Sequence, residues 1–354
     1  MNRRTVTRGI AAALLTCGVV APAGAEETVT LFVTSMKTDT VNVFRGRVAD
    51  LAFVRGIPVG REPHNLGISP DGRWAATGNR RSGEVSIIDT QSLKEVARIP
   101  VGRQPHDVAF SSDSRTLYVG HEQELYASVI EVGEWKRKRL EIGRAQHDLS
   151  ISPDDKELWF TVTNRPYKSG DPRVGVVDLV TGKRVALIDT GANSHDVILS
   201  PDGRVAWVTN SGFIDIPDSR VDYLDVAARK VLGTIQLGKY PFHAPKRGRD
   251  GNYVSADAPE MWFTDHGLKA AHALSLADRR VMASVPVGTE PFHVTGTPAG
   301  ILFVANHRSS TVTVIDGSSR VALGTLKVPP APHGVAALVH SPSDRGGTEK
   351  VLGR

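Results

Sequence analysis

Apolar and polar residues alternate along this chain in short runs, and no convincing stretch keeps the three-and-four spacing of an amphipathic helix. From His195 onward the pattern reads "HDVILS", the turn "PDG", "VAWVTN", then "RVDYLDV" and "KVLGTIQLG". Each run is rich in Val, Ile, Leu, Thr or aromatics and is bounded by Gly, Pro, Asn or Asp, which predicts four β-strands joined by turns. The unit returns along the chain, marked by a phrase that carries a histidine: "VGREPHN", "VGRQPHD", "IGRAQHD", "TGANSHD", "LGKYPFH", "VGTEPFH" and "VPPAPHG". These seven residues, His64, His106, His147, His195, His243, His293 and His333, lie 40 to 50 residues apart. A period of that length predicts a repeat architecture, and four strands per repeat predict an all-β fold, a seven-bladed β-propeller.

The two ends of the pattern are complementary. The first strand-forming segment, "VTLFVTSMKTDTVNVFRGRVADLAFVRGIPVG", supplies three strands and lacks an innermost one, whereas "PHGVAALVH" supplies an innermost strand with nothing after it. Joining the C-terminal strand to the three N-terminal ones is expected to close the ring and hide sheet edges that would otherwise pair with other chains.

Composition then narrows the setting. Arg3, Arg4 and Arg8, the apolar run from Ile10 to Val20 and the small residues Ala23-Gly24-Ala25 read as a signal peptide over 1–25, with the propeller over 26–340 and a polar tail over 341–354. Export to the periplasm is the expectation; the twin arginines permit a twin-arginine route, although Thr7 departs from that pattern. Cys17 is the one cysteine and leaves with the leader, which excludes disulfides, thiolate ligands, C-x-x-C-H haem attachment and iron–sulfur clusters. No later apolar run approaches the ~20 residues of a membrane span. The formal charge of +5 falls to +2 once the three leader arginines are gone, too little to imply nucleic acid as a partner.

The candidate chemistry lies at one face of the ring. The seven histidines stand where each inter-blade loop meets the innermost strand, so they are expected to ring the mouth of the central channel, joined there by the ends of the second strands: Asn79, His121, Asn164, Asn210, His266, Asn306 and His307. The residues before and after the histidine vary from repeat to repeat while the histidine does not. A functional ring, a structural histidine copied by duplication, and a mixture of the two are all open on this reading. As ligands, neutral imidazoles suit copper, zinc, iron or nickel, and an all-nitrogen set without thiolate favours copper in a redox or metal-handling role. Asp107, Asp148 and Asp196 follow ring members and are expected to act behind them, supporting a histidine of the adjacent blade.

A second reading is an organic redox cofactor, a haem-like group or a quinone, or a partner redox protein, held on the same face by a non-enzymatic binding protein. Arg61, Arg103 and Arg144 precede ring histidines and suit carboxylates or a small inorganic anion, with Lys239, Arg80, Arg165 and Arg308 nearby. Tyr240, Phe242, Trp262 and Phe292 are candidate apolar walls, and the long loops "RPYKSGDPR" and "SGFIDIPDSR" are candidate lids. Ser194-His195-Asp196 is not expected to be a catalytic triad, because sequence neighbours in a strand point apart. Asp154-Asp155 reads as a turn.

"SPDG" at 69–72 and 200–203, "WVTN" at 207–210, "FVAN" at 303–306 and the strand ends "VIDG" and "IIDT" resemble the YVTN family of seven-bladed propellers. That resemblance covers essentially the whole chain after the leader and implies the fold but no single activity. The plan is also similar to the haem-binding domain of cytochrome-type nitrite reductases and to the copper-bearing propellers of nitrous oxide reductase and thiocyanate dehydrogenase. The histidine-pair motifs of nitrous oxide reductase are missing here, as is a second cupredoxin domain, and no acidic set matching a lactonase-type propeller is evident.

Overall fold

A computed structural model describes residues 27–162, 173–211, 218–237 and 260–340 and shows seven antiparallel sheets arranged as a propeller. In the first blade the strands run Pro63–Ile68, Trp74–Asn79, Glu84–Asp89 and Lys94–Pro100 from the axis outward. The next three blades repeat that order from Pro105, Gln146 and Ser194, and the sixth from Pro291. Three strands of the fifth blade are described, Glu260–Asp265, Ala270–Ser275 and Arg280–Pro286. Its expected innermost strand around His243 lies outside the described residues, as do the leader and the C-terminal tail. The one helical turn among the described residues is the 3-10 segment Val48–Asp50.

The ring closes as the complementary ends require. The C-terminal strand Pro332–His340 pairs antiparallel with Thr28–Ser35, matching Val29 with Val339 and Phe32 with Ala336, and Thr40–Arg47 and Ala52–Pro58 complete the seventh blade. Val29, Leu31 and Val33 face the sixth blade and pack on Ile301, Phe303 and Ala305. Phe32 faces the other way, against Ile68, Ala75 and Ile88 of the first blade. Successive residues of a strand point to opposite faces, and both faces of a blade are covered by neighbours. The second strands therefore read as unbroken apolar runs, whereas the outermost strand Lys230–Gln236 alternates between exposed and covered positions.

The turns on the face away from the histidines have their own polar lock. Ser69, Ser111, Ser152 and Ser200 each donate a hydroxyl to the aspartate two residues on, at 2.5, 2.7, 2.7 and 2.6 Å. Asp154 is thus a turn residue, and Asp155 accepts the backbone N–H of Ser112 from the preceding blade at 3.0 Å.

Each described innermost strand begins with a β-bulge. Pro63 pairs with Asn79 and Leu66 with Thr77, so His64 and Asn65 together oppose the single residue Gly78. The same two-against-one mismatch sets His147 and Asp148 against Thr161, His195 and Asp196 against Thr209, and His333 and Gly334 against Thr34. In the second blade His106 is the extra residue between Pro105 and Asp107. A bulge bends the strand and re-aims a side chain, and here it turns one residue per blade into the mouth of the channel.

A chain ended at Ala331 leaves Thr28–Ser35 with an open edge and removes the closing strand. It should lose cooperative thermal unfolding and self-associate, read by circular dichroism melting and size-exclusion chromatography. A monomer that melts like the full chain would show that closure is dispensable.

Candidate functional site

The mouth is built by hardware that recurs from blade to blade. The loop reaches the innermost strand through a left-handed residue: Glu62, Gln104, Asn193, Glu290 and Ala331 have φ of 59, 48, 52, 57 and 59°. Such a conformation costs a residue with a side chain about 1–3 kcal/mol. It is held because each carbonyl accepts the N–H just past the returning second strand, from Arg80, Glu122, Ser211, His307 and Met36 respectively, at 2.9–3.2 Å. Threonines opposite the bulges tie blade to blade. Thr34 donates to the His64 carbonyl, Thr161 to that of His195 and Thr264 to that of Phe292, each at 2.8 Å.

Five of the expected histidines form an unbroken arc. Ring centroids are separated by 4.0 Å from His195 to His147, 3.9 Å to His106, 4.1 Å to His64 and 3.6 Å to His333. All but His147 are buried. His293 is also buried but lies 5.1 Å from His333, because the sixth blade carries the phrase in a different register. Pro291 pairs with Asn306 and Val294 with Val304, so Phe292 takes the position that His64 holds in the first blade and His293 takes that of Asn65. Phe292 fills that seat 4.3 Å from His333 and packs on His266 and His307 at 4.6 and 5.1 Å. His243 follows a phenylalanine in the same way and lies outside the described residues.

Burial and crowding keep His106, at the centre of the arc, neutral. The His106 imidazole titrates well below its ordinary value, first because it is buried and then because His147, His64, His333 and Arg80 surround it. Its Nδ1 lies 2.7 Å from the carbonyl oxygen of His147. A carbonyl only accepts, so Nδ1 carries the proton and Nε2 presents a bare lone pair.

The aspartates that follow the histidines act differently from expectation. Asp107 accepts the Asn65 amide at 2.9 Å and the Leu149 N–H at 2.8 Å, tying the first, second and third blades together. Asp148 accepts the Val197 N–H from the fourth blade at 3.4 Å. These carboxylates bind neighbouring backbone, and Asp196 reaches its own His195 Nδ1 at 3.1 Å. The bulge is the reason: it breaks the strict alternation that would have turned them away from the axis. Ser194 meanwhile bonds Asn210 at 2.8 Å, so the consecutive Ser-His-Asp residues form no triad.

A second tier stands at the same mouth, one residue past each returning strand. It includes Arg80, Glu122, Ser211, His266 and His307. Arg80 bridges Glu62 at 2.9 Å and Glu122 at 2.7 Å, and the Glu122 side chain is fully buried. Glu122 was not distinguishable in sequence, since nothing in "GHEQEL" marks it as the residue that turns inward. Of the expected anion-binding arginines, Arg103 pairs with Glu124 at 3.2 Å. Arg61 is exposed, Arg144 half-buried, and among the described residues neither guanidinium has a hydrogen bond or ion pair. Arg308 is paired with Glu290 and Trp262 is buried in the core; Lys239, Tyr240, Phe242, Asn164 and Arg165 lie outside the described residues. So do most of the two candidate lid loops.

The remaining histidines sit inside the blades. His121 lies 3.0 Å from Ser128, as Asn79 lies 2.8 Å from Ser86, and burial pushes it down to about 4. His272 bonds Ser284, and burial lowers it too. Two groups at the mouth have metal-ligand spacing: His106, Glu122 and His147, and His147, His195 and Asp196, with ligand atoms within 4.8 Å of one another. No helix of the described residues is long and apolar enough to cross a membrane.

Comparisons agree with this architecture. The family model of the cytochrome D1 heme domain matches residues 36–201, just under half of the chain and spanning His64, His106, His147 and His195. Among solved structures, a chain of Kuenenia stuttgartiensis hydrazine synthase superposes with a TM-score of 0.66 at 21% identity, over 86% of this chain and 99% of its own. The dihydro-heme d1 dehydrogenase NirN in complex with DHE superposes with a TM-score of 0.62 at 17% identity, over 90% of this chain and 76% of its own. No curated protein matches the chain.

Two outcomes follow from the geometry. Asp107→Ala strands the Leu149 N–H and the Asn65 amide, and should destabilise the fold by about 1–3 kcal/mol in urea unfolding; an unchanged midpoint would show that water replaces the carboxylate. The depressed histidines set the pH response: His106, His121, His272 and His307 all lie below their ordinary ~6.5 in the folded chain, so the unfolded chain protonates first. Stability is full above about pH 6.5 and falls as the pH drops toward about 4, the value of His121. Urea midpoints at pH 7.5, 6 and 5 should decline in that order.

Proposed function

We propose that this chain is a periplasmic propeller that binds a haem-type redox cofactor against its histidine mouth. The observation that carries the reading is the arc of closely packed imidazoles from His195 to His333, of which His64, His106, His147 and His195 lie within the region matched by the cytochrome D1 heme domain. On the same reading, residues 1–25 direct export, 26–340 form the propeller and 341–354 are a polar tail.

The residues present fit such a group in chemistry. Imidazole nitrogen is a common axial ligand of haem iron, and the His64 and His333 rings stand at the mouth. Arg61 and Arg144, without ion pairs among the described residues, are cations suited to propionate-type carboxylates, while Arg103 would first have to leave Glu124. Phe292 supplies an apolar edge beside His333. Neighbouring imidazoles are in van der Waals contact and leave no gap between them, so His64 and His333 would meet such a group from the mouth. When bound, the group supplies reversible electron exchange. The protein holds its carboxylates, offers a ring nitrogen and keeps water from the side that faces the channel. The likeness to NirN, solved in complex with DHE, supports an organic cofactor; the comparisons lend copper no support.

The test is the exported protein purified from its periplasm and read by absorption and mass spectrometry. About one tetrapyrrole per chain is expected, and a double variant Arg61→Ala with Arg144→Ala should weaken its retention ~10-fold or more. A protein purified colourless that also retains no haem d1 after mixing and gel filtration would falsify this reading.

A further inference from the structure

We infer that His106, Glu122 and His147 form a divalent transition-metal site, set to one side of the channel mouth and distinct from the cofactor contacts at His64 and His333. The reason lies in what faces what. The carbonyl of His147 fixes the proton of His106 on Nδ1, so the His106 Nε2 lone pair points elsewhere. Opposite it, at 3.9 Å, stands Oε1 of Glu122. Both side chains are buried, at 3% and 0% exposure, and Arg80 pairs with the other Glu122 oxygen at 2.7 Å. An imidazole nitrogen and a carboxylate oxygen this close in a buried place are two donors that one cation can bridge. The third group, His147, brings its ring nitrogen to within 4.8 Å of both.

The distances suit an ion. Ligand bonds of ~2.0–2.2 Å put two ligands of a tetrahedral zinc ion about 3.4 Å apart, so the His106 and Glu122 atoms at 3.9 Å need approach by only about half an ångström to hold it. The charges suit it as well: two carboxyl side chains, Glu62 and Glu122, face the single guanidinium of Arg80 beside the two imidazoles. Two nitrogens and one carboxylate are a borderline donor set for zinc, iron(II), cobalt or nickel, and three protein ligands leave a position open for water or a small ligand. The neighbouring group His147, His195 and Asp196 is weaker, because the Asp196 oxygen is already taken by His195 Nδ1 at 3.1 Å.

The experiment titrates Zn2+ into the full chain, stripped with a chelator and free of any histidine tag, by isothermal titration calorimetry. One ion per chain is expected. Glu122→Gln keeps the side chain's shape and should lower the affinity by more than the ~10–100-fold that accompanies loss of an outer partner. His106→Phe should do the same while the chain still folds, since Phe292 occupies the equivalent seat in the sixth blade. His64→Phe, also in the arc but outside the trio, should bind Zn2+ like the parent; thermal melting checks that each variant is folded. No uptake by the parent overturns the site, as does unchanged affinity in Glu122→Gln, or equal loss in His64→Phe and His106→Phe. Because the titration uses chain without tetrapyrrole, it stands or fails separately from cofactor binding.

Discussion

The two-against-one bulge at the start of each described innermost strand is the constraint on which this site rests. Without it, the strands would keep strict alternation and the histidine and its successor would face opposite ways. With it, the ring of His64 turns to the axis while Asn65 remains near enough to bond Asp107 of the next blade at 2.9 Å. The bulge frees backbone groups, and the fold satisfies them with particular side chains. Thr34 accepts the Gly334 N–H and donates to the His64 carbonyl, so one hydroxyl mends a bulge and joins two blades.

From this follows the electrostatic character of the mouth. Imidazoles 3.6 to 4.1 Å apart crowd one another, so each disfavours charge on its neighbour. The arc is a set of nitrogen donors, and the buried Glu122 carboxylate beside it is paired with Arg80. Neutral nitrogen donors with a shielded anion at one side receive a cation or a metal-bearing group more readily than they accept protons. The same crowding ties stability to pH, since an unfolded chain releases the rings to water, where they protonate normally.

Much of this was legible in the sequence, and the failures have definite causes. The recurring "PH" phrase located His64, His106 and His333 because the residue spacing from loop to histidine is constant there. In "TEPFH" one residue is inserted after the proline, and the strand register is set by Pro291 against Asn306, so the phenylalanine inherits the seat. Counting histidines does not detect that; aligning on proline would have. Glu122 is invisible for another reason: its role depends on Arg80, forty-two residues away, and on a lone pair that the His147 carbonyl orients. The pairing of Arg103 with Glu124 was not legible either, because the two lie twenty-one residues apart.

By itself, then, the amino-acid sequence determined the number of blades, the closing of the ring by its last strand, the turns locked by serine and aspartate, and a histidine-rich face. These are properties of period, of local strand and turn chemistry, and of the complementary ends, all of which act over short stretches of chain. Tertiary structure alone decided which ring sits in which seat, which arginines are already engaged, and that a buried carboxylate faces His106. Those outcomes depend on strand register and on contacts between blades, where one inserted residue or one neighbour's carbonyl redirects a side chain without leaving a local mark.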